Sequence, residues 1–290
     1  MILELLNGIW FVLFVVGIMA LTSFVNAKGY LVPFYSFLER KIKSKRLLVA
    51  LVSAISGILP LPGRTIISAG ALDTLAPDDS RRKNFGLINY LSTHHYYLWS
   101  PLEATVLIPL SVLGITYFQF IGMIAPLLIT LLLITLYYIF FVLKEDDVAI
   151  KKVQRKEQEF KLYKSIKWDV ALFVAIVIII GNTLKLYSDS ILGFFMNYNS
   201  SIFFAGIIAF VTSFILGSSS KFAGITTLLV SIFGLNYLPL LFSLGYFGYL
   251  ISPTHKCLVI TKTYFGLDTG FYKALILIGA ALSMVGYLLL

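Results

Sequence analysis

Six stretches of this chain run with almost no charge: residues 5–25, 86–113, 117–143, 168–184, 237–261 and 272–290. A bilayer core of about 30 Å is crossed by about 20 apolar residues in a helix, so each reads as a spanning helix, with 168–184 the shortest. Two further apolar stretches behave differently. Residues 47–60 stop at Pro60-Leu61-Pro62-Gly63-Arg64 and resume over 65–75. Residues 202–216 stop at Gly217-Ser218-Ser219-Ser220-Lys221 and resume over 222–234. Neither arm of either pair is long enough to cross alone, and each pair turns on a polar tip. Such a pair reads as a re-entrant helical hairpin, which survives at membrane depth only inside protein or beside a water-filled cavity. The expected fold is an all-α membrane protein of about six transmembrane helices and two re-entrant hairpins. Composition agrees: 59% of the 290 residues are hydrophobic, 13% are charged and the mean hydropathy is +0.90. That balance excludes a disordered chain, a nucleic-acid-binding domain and an ordinary cytosolic enzyme.

Charge sets the orientation. The net charge is +9, and basic residues collect in cytoplasmic loops. Loop 26–46 carries six Lys/Arg, loop 76–84 three and loop 144–167 eight. If both hairpins re-enter, Lys262 and Lys273 join them, and 19 of the 23 basic residues lie on one side. If 47–75 spanned instead, loops 26–46 and 76–84 would face opposite sides. The expectation is a multi-pass protein of the cytoplasmic membrane, with both termini outside and loop 144–167 cytoplasmic. The first residues, Met1 to Asn7, lack the basic start of a secretory signal, so the first apolar run is read as a retained helix. The single cysteine, Cys257, forms no internal disulfide.

This layout contains a symmetry. Residues 1–143 run helix, hairpin, helix, helix; residues 168–290 repeat that order from the opposite side of the membrane, and the charged segment 144–167 links them. Inverted-topology repeats of this kind are a common plan of secondary transporters. Tyr97-Leu98-Trp99-Ser100-Pro101 and Tyr249-Leu250-Ile251-Ser252-Pro253 occupy corresponding places. A mid-helix proline removes one donor and clashes with the preceding turn, so both helices should break there, leaving backbone groups and dipole ends free to bind an ion or substrate.

Intramembrane ionisable residues are expensive and mark functional sites. Arg64 and Lys221 stand at the hairpin tips, with no nearby acid in sequence. With the tip hydroxyls of Thr65, Ser218, Ser219 and Ser220 they are the candidate substrate-binding groups. Glu103 and His255 each lie three residues after the serine of a Ser-Pro pair; with His95, Ser100 and Ser252 they are candidates for coupling or gating. Pro101 and Pro253 are the candidate helix breaks. No catalytic residue is expected, since the chain lacks His-Glu-x-x-His, Gly-x-Ser-x-Gly and a P-loop. His94-His95 alone offers too few ligands for a stable metal site, so neither a metal nor a cofactor is expected.

Several segments together resemble a known family: Gly57-Ile58-Leu59-Pro60-Leu61-Pro62-Gly63 with Ser68-Ala69, Ile88-Asn89-Tyr90 with His95, and Ser252-Pro253-Thr254-His255-Lys256-Cys257-Leu258 with Thr261 and Tyr264-Phe265. They are similar to an uncharacterised prokaryotic membrane family, domain of unknown function 401, over roughly residues 50–270, the last segment being the most specific. Two positions depart from its pattern: Thr93 stands where a basic residue is expected, and Lys256 where an apolar one is. The family is grouped with the ion transporter superfamily, whose permeases take citrate, gluconate, lactate or arsenite. The resemblance implies an ion-coupled transporter of a small anion, driven by Na⁺ or H⁺. The chain is shorter than such relatives, which implies a homodimer. The lipid bilayer and the anion are the expected partners, and nucleic acid is not. An ion channel, or a non-transport module for assembly or lipid handling, is the alternative.

Overall fold

The computed structural model describes residues 37–38, 40–58, 64–73, 75–77, 81–148, 201–266 and 268–290, with isolated positions elsewhere. The expected helices 5–25 and 168–184, most of the 144–167 linker and the first hairpin's tip, 59–63, lie outside the described residues. All regular structure among the described residues is helical. In chain order it comprises α1 (Lys45–Ile58), α2 (Arg64–Asp73), α3 (Arg82–His94), the single turn α4 (Tyr96–Trp99), α5 (Ala104–Leu113) and α6 (Tyr117–Tyr137). There follow α7 (Ser201–Leu216), α8 (Ser219–Phe233), α9 (Leu238–Ile251), α10 (Lys256–Phe265) and α11 (Thr269–Leu288).

Two helices among the described residues are long and apolar enough to span a membrane. One is α6, which a π-helical turn extends to Val142 for 26 residues in all, and the other is α11, of 20 residues. At 1.5 Å per residue these reach about 39 and 30 Å. Their outer faces, and that of α7, expose large apolar side chains such as Phe118, Phe141, Phe203, Leu277 and Leu288. Exposed apolar surface on this scale asks for a non-aqueous neighbour.

The two interrupted stretches fold as helix pairs. α1 packs on α2, and α7 packs on α8. The segments at 86–113 and 237–261 are not continuous helices. The first bends at His95 and stops at Ser100, and α5 begins after Glu103; the second stops at Ser252, and α10 begins after His255. A residue before proline is pushed into extended backbone, and both serines comply, with φ, ψ of −66°, 122° and −62°, 126°. In each break the serine carbonyl accepts from the amide three residues on, Glu103 at 3.0 Å and His255 at 3.2 Å. The two Ser-Pro segments therefore make the same turn.

Packing is exchanged between the two stretches. α2 lies on α10, and α8 lies on α5, so the second arm of each pair meets the post-break helix of the other stretch. α1 packs on α3 as α7 packs on α9. Glycine lets some of these helices approach. A Cβ on Gly248 would lie 2.1 Å from the Phe210 carbonyl oxygen, and one on Gly286 2.2 Å from the Ser243 hydroxyl. Small residues at such crossings are the usual device for close helix packing in a bilayer.

One end of the molecule is charged. Glu145 accepts from the Ser44 hydroxyl and the Lys45 amide, each at 3.0 Å. Arg81 pairs with Asp147 at 3.0 Å, Arg82 with Asp73, and Lys83 with Asp268 at 2.9 Å. The segments around 45, 81–83, 145–148 and 268 thus gather on the same side of the helix layer. Burial works against ionisation of Glu145, yet the Ser44 hydroxyl and the Lys45 and Arg46 amides hold its carboxyl below the ordinary range. The Lys83 ammonium and then the Phe271 amide hold the Asp268 carboxyl below its ordinary value of 3.8.

Candidate functional site

Four helices begin in the interior, and their N-termini meet. α2 starts at Arg64, α5 at the Glu103 break, α8 after Gly217-Ser218 and α10 at the His255 break. Arg64 Nη1 pairs with Glu103 Oε1, which joins the first two starts; the side chains are 6% and 15% exposed. The guanidinium carbon lies 4.2 Å from the Tyr97 ring centre and 5.9 Å from that of Tyr96. Arg64 Nε is buried without a hydrogen-bond partner among the described residues. Next to it, Thr65 is buried and interacts with Cys257 on the first turn of α10.

The second tip docks on the second break. Gly217 has φ +54°, and a Cβ there would lie 2.3 Å from the Thr254 hydroxyl, 2.6 Å from that of Ser252 and 2.8 Å from the His255 amide nitrogen. Only glycine fits this left-handed backbone at that contact. Ser252 donates to the Phe214 carbonyl at 2.6 Å, and Thr254 to that of Ile215 at 3.0 Å. The break therefore satisfies carbonyls that the end of α7 leaves free.

Three of the N-termini at this centre carry no side-chain cap. Glu103, Ser218 and His255 occupy the N-cap positions of α5, α8 and α10, and none makes a side-chain capping bond. α3 and α9 also begin without a side-chain cap, whereas α6 and α11 are capped. Thr116 and Gln119 form a full capping box on α6, and Asp268 caps α11 through the Phe271 amide at 3.0 Å. Uncapped N-termini present orphan amide donors and the positive end of the helix dipole.

The remaining candidates divide. Ser220 is buried, Ser218 and Ser219 are half-buried, and the Ser218 and Ser220 hydroxyls lie 3.3 Å apart. Lys221 is half-buried and makes no hydrogen bond or ion pair among the described residues. Lys256 is exposed. Ser100 and Ser252 are buried while Pro101 and Pro253 are exposed. His95 is buried and accepts from the Trp99 indole at 3.1 Å.

Two relations were invisible in the sequence. Arg64 has no acid near it in sequence, and the fold brings Glu103 to it across 39 positions. His94 finds its ring partner in His255 rather than His95: their Nε2 atoms lie 3.3 Å apart. Cys257 completes this cluster, the three ligand atoms lying within 4.8 Å of one another. Tyr90 supports both rings. Its carbonyl meets His94 Nδ1 at 2.5 Å, and its hydroxyl lies 2.9 Å from His255 Nδ1 while donating to the Leu250 carbonyl at 2.6 Å.

Among known proteins, residues 1–141 match a family model described as Protein of unknown function (DUF401), a match that covers just under half of the chain. The segment 252–258, expected to carry the most specific resemblance, lies outside it. No curated protein and no solved structure matches the chain.

Proposed function

We propose that the chain is a secondary transporter that carries a small anion across the cytoplasmic membrane. The observation that carries this reading is the gathering of uncapped helix N-termini around the buried Arg64. Amide donors and positive dipole ends pointing at one place make an anion site without further chemistry, and a guanidinium adds a planar fork suited to carboxylates and oxyanions. Thr65 beside it and Ser218, Ser219 and Ser220 at the start of α8 supply hydroxyls, and Lys221 a second cation.

In this site Glu103 is the resident anion. A substrate carboxylate must displace it from Arg64, and an unpaired carboxylate left behind in a dry interior would be costly. Protonation of Glu103 removes that cost, so a proton accompanies the anion. Coupling to H⁺ rather than Na⁺ follows from this exchange. His255, His95, Ser100 and Ser252 line or hold the two breaks and belong to the gate.

The rest of the fold supports the reading. Exchanged packing between the two stretches, and the identical Ser-Pro turns, suit two inverted repeats spanning 1–143 and 168–290 around a linker. Six spans and two re-entrant hairpins accommodate the exposed apolar belt. The charged end at 45, 81–83, 145–148 and 268 fits the cytoplasmic face, with loop 144–167 inside and both termini outside. A homodimer would cover part of the belt. Binding is checked by thermal shift with a panel of small carboxylates and oxyanions at acidic and neutral pH. An anion at 100 times its Kd stabilises a protein that binds it only when folded by about 2.7 kcal/mol. The stabilisation is expected to be larger at acidic pH and absent in Arg64→Gln. Equal stabilisation of that variant would place the site elsewhere.

A further inference from the structure

The pair of histidines at the centre faces a difficulty that their own hydrogen bonds create. A carbonyl only accepts, so His94 Nδ1, 2.5 Å from the Tyr90 carbonyl, carries a proton. His255 Nδ1 lies 3.2 Å from the Tyr249 carbonyl, and the Tyr90 hydroxyl beside it has spent its own proton on Leu250. His255 Nδ1 therefore carries a proton too. In both rings Nε2 is then a bare lone pair, and these two lone pairs face each other at 3.3 Å in a buried place. Among the described residues one further donor stands beside them, the S–H of Cys257, which serves at most one of the two. Two acceptors aimed at one point, with a thiol beside them, ask for a cation.

We propose that His94 Nε2, His255 Nε2 and Cys257 Sγ form a binding site for copper(I). The two nitrogens suit a shared ion, and Cys257 Sγ, within 4.8 Å of them, closes on it as the thiolate. Two imidazole nitrogens, each about 2.0 Å from one metal, are about 3.3 Å apart at a tetrahedral angle and about 3.5 Å apart at a trigonal one, and the pair here lies at 3.3 Å. A hydrogen bond from Nδ1 to a carbonyl or hydroxyl is the usual way a protein fixes the tautomer of a ligating histidine, and both rings have one. The donor set is soft, one sulfur and two imidazoles, which favours copper(I) or zinc. Two features decide between them. Structural zinc takes four ligands, and this group offers three among the described residues. Copper(I) with a thiolate is neutral, whereas zinc(II) would leave a net positive charge beside an Arg64–Glu103 pair that already cancels itself, a cost in an apolar interior. On binding, the thiol proton leaves and the metal takes its place, with no change of oxidation state.

The site shares His255 with the proposed gate, but neither Arg64 nor Glu103 is a ligand, so copper binding is read separately from anion binding. It ties α3 of the first stretch to the break of the second and would pin the two together. The test uses the full-length protein in detergent, under anaerobic conditions, with copper(I) supplied in competition with bicinchoninate. The protein is expected to withdraw one copper(I) per chain, and X-ray absorption is expected to show one sulfur and two nitrogens. Cys257→Ser and His255→Gln should lose the site, and His95→Gln should keep it. Tyr90→Phe, which removes one acceptor for the His255 Nδ1 proton, should weaken binding about tenfold, the lower end for loss of an outer partner of a metal ligand. Should the variants fail to fold, the absorption spectrum of the wild-type protein decides alone. No withdrawal of copper, undiminished binding by a folded Cys257→Ser protein, a spectrum without sulfur, or retention of zinc(II) in preference to copper(I) would each overturn the assignment.

Discussion

Buried charge is the scarcest commodity in this chain, and Arg64 and Glu103 hold each other's. Removing one member of a buried pair leaves the other uncompensated and costs about 3–5 kcal/mol, whereas replacing both with apolar groups of similar size is often neutral. Arg64→Met and Glu103→Leu are each expected to destabilise the protein by about that amount. The double variant should recover most of the loss, since residues in contact are not additive. Thermal unfolding followed by the three tryptophans reads all four corners of the cycle; additive losses would mean that the pair carries no coupling. The sequence singled out Arg64, Glu103 and His255 because ionisable groups are conspicuous in apolar surroundings. It did not pair them, since the partners come from opposite sides of a fold. His94 meets His255 across 161 positions and turns away from its neighbour. Cys257 stood out as a lone cysteine within the 252–258 segment, and only the three-dimensional grouping shows its neighbours.

Among the elements, the breaks rather than the helices carry the design. Proline and glycine announced them: Ser100-Pro101 and Ser252-Pro253 stop two helices, and Gly217 turns the second hairpin. What periodicity did not reveal is that the post-break helices begin uncapped while α6 and α11 are capped. A missing cap leaves no mark beyond the residue at the N-cap, and Ser218 would be read as a good cap without its coordinates. Gly217→Ala is expected to cost about 1–2 kcal/mol from the left-handed backbone alone, and more from the contact with Thr254. Gly122→Ala on the open face of α6, where nothing lies within 4 Å of an added Cβ, should be neutral or slightly stabilising. A Gly217→Ala protein as stable as Gly122→Ala would mean that the second tip does not dock on the Ser252 break. The cap of α11 carries a pH signature. The folded-state carboxyl of Asp268 is held below its ordinary value of 3.8, so its contribution is complete above that pH and is lost as pH falls through the depressed value. Asp268→Ala should therefore lower the melting temperature at pH 7, and the gap to wild type should close as the medium is acidified below 3.8. A gap that widens under acid would contradict this role.

For the whole molecule, the apolar runs made an all-helical fold legible, and the basic loops foretold one charged end. The exchanged packing of α2 on α10 and α8 on α5 was not legible, because sequence symmetry says that two units are alike and not which faces they trade. That exchange brings the start of α2, the second tip and both breaks together, with buried Arg64 paired to Glu103 there. The central claim is that Arg64 takes an anion there when Glu103 takes a proton. It is tested most directly in liposomes containing the purified protein and a lumenal pH dye, given an inward gradient of the anion found by thermal shift. Wild-type protein should move protons inward with the anion, saturably; Glu103→Gln should move the anion without protons, and Arg64→Gln should move neither. Transport by Arg64→Gln at the wild-type rate, or anion uptake by wild type with no proton movement, would contradict the account.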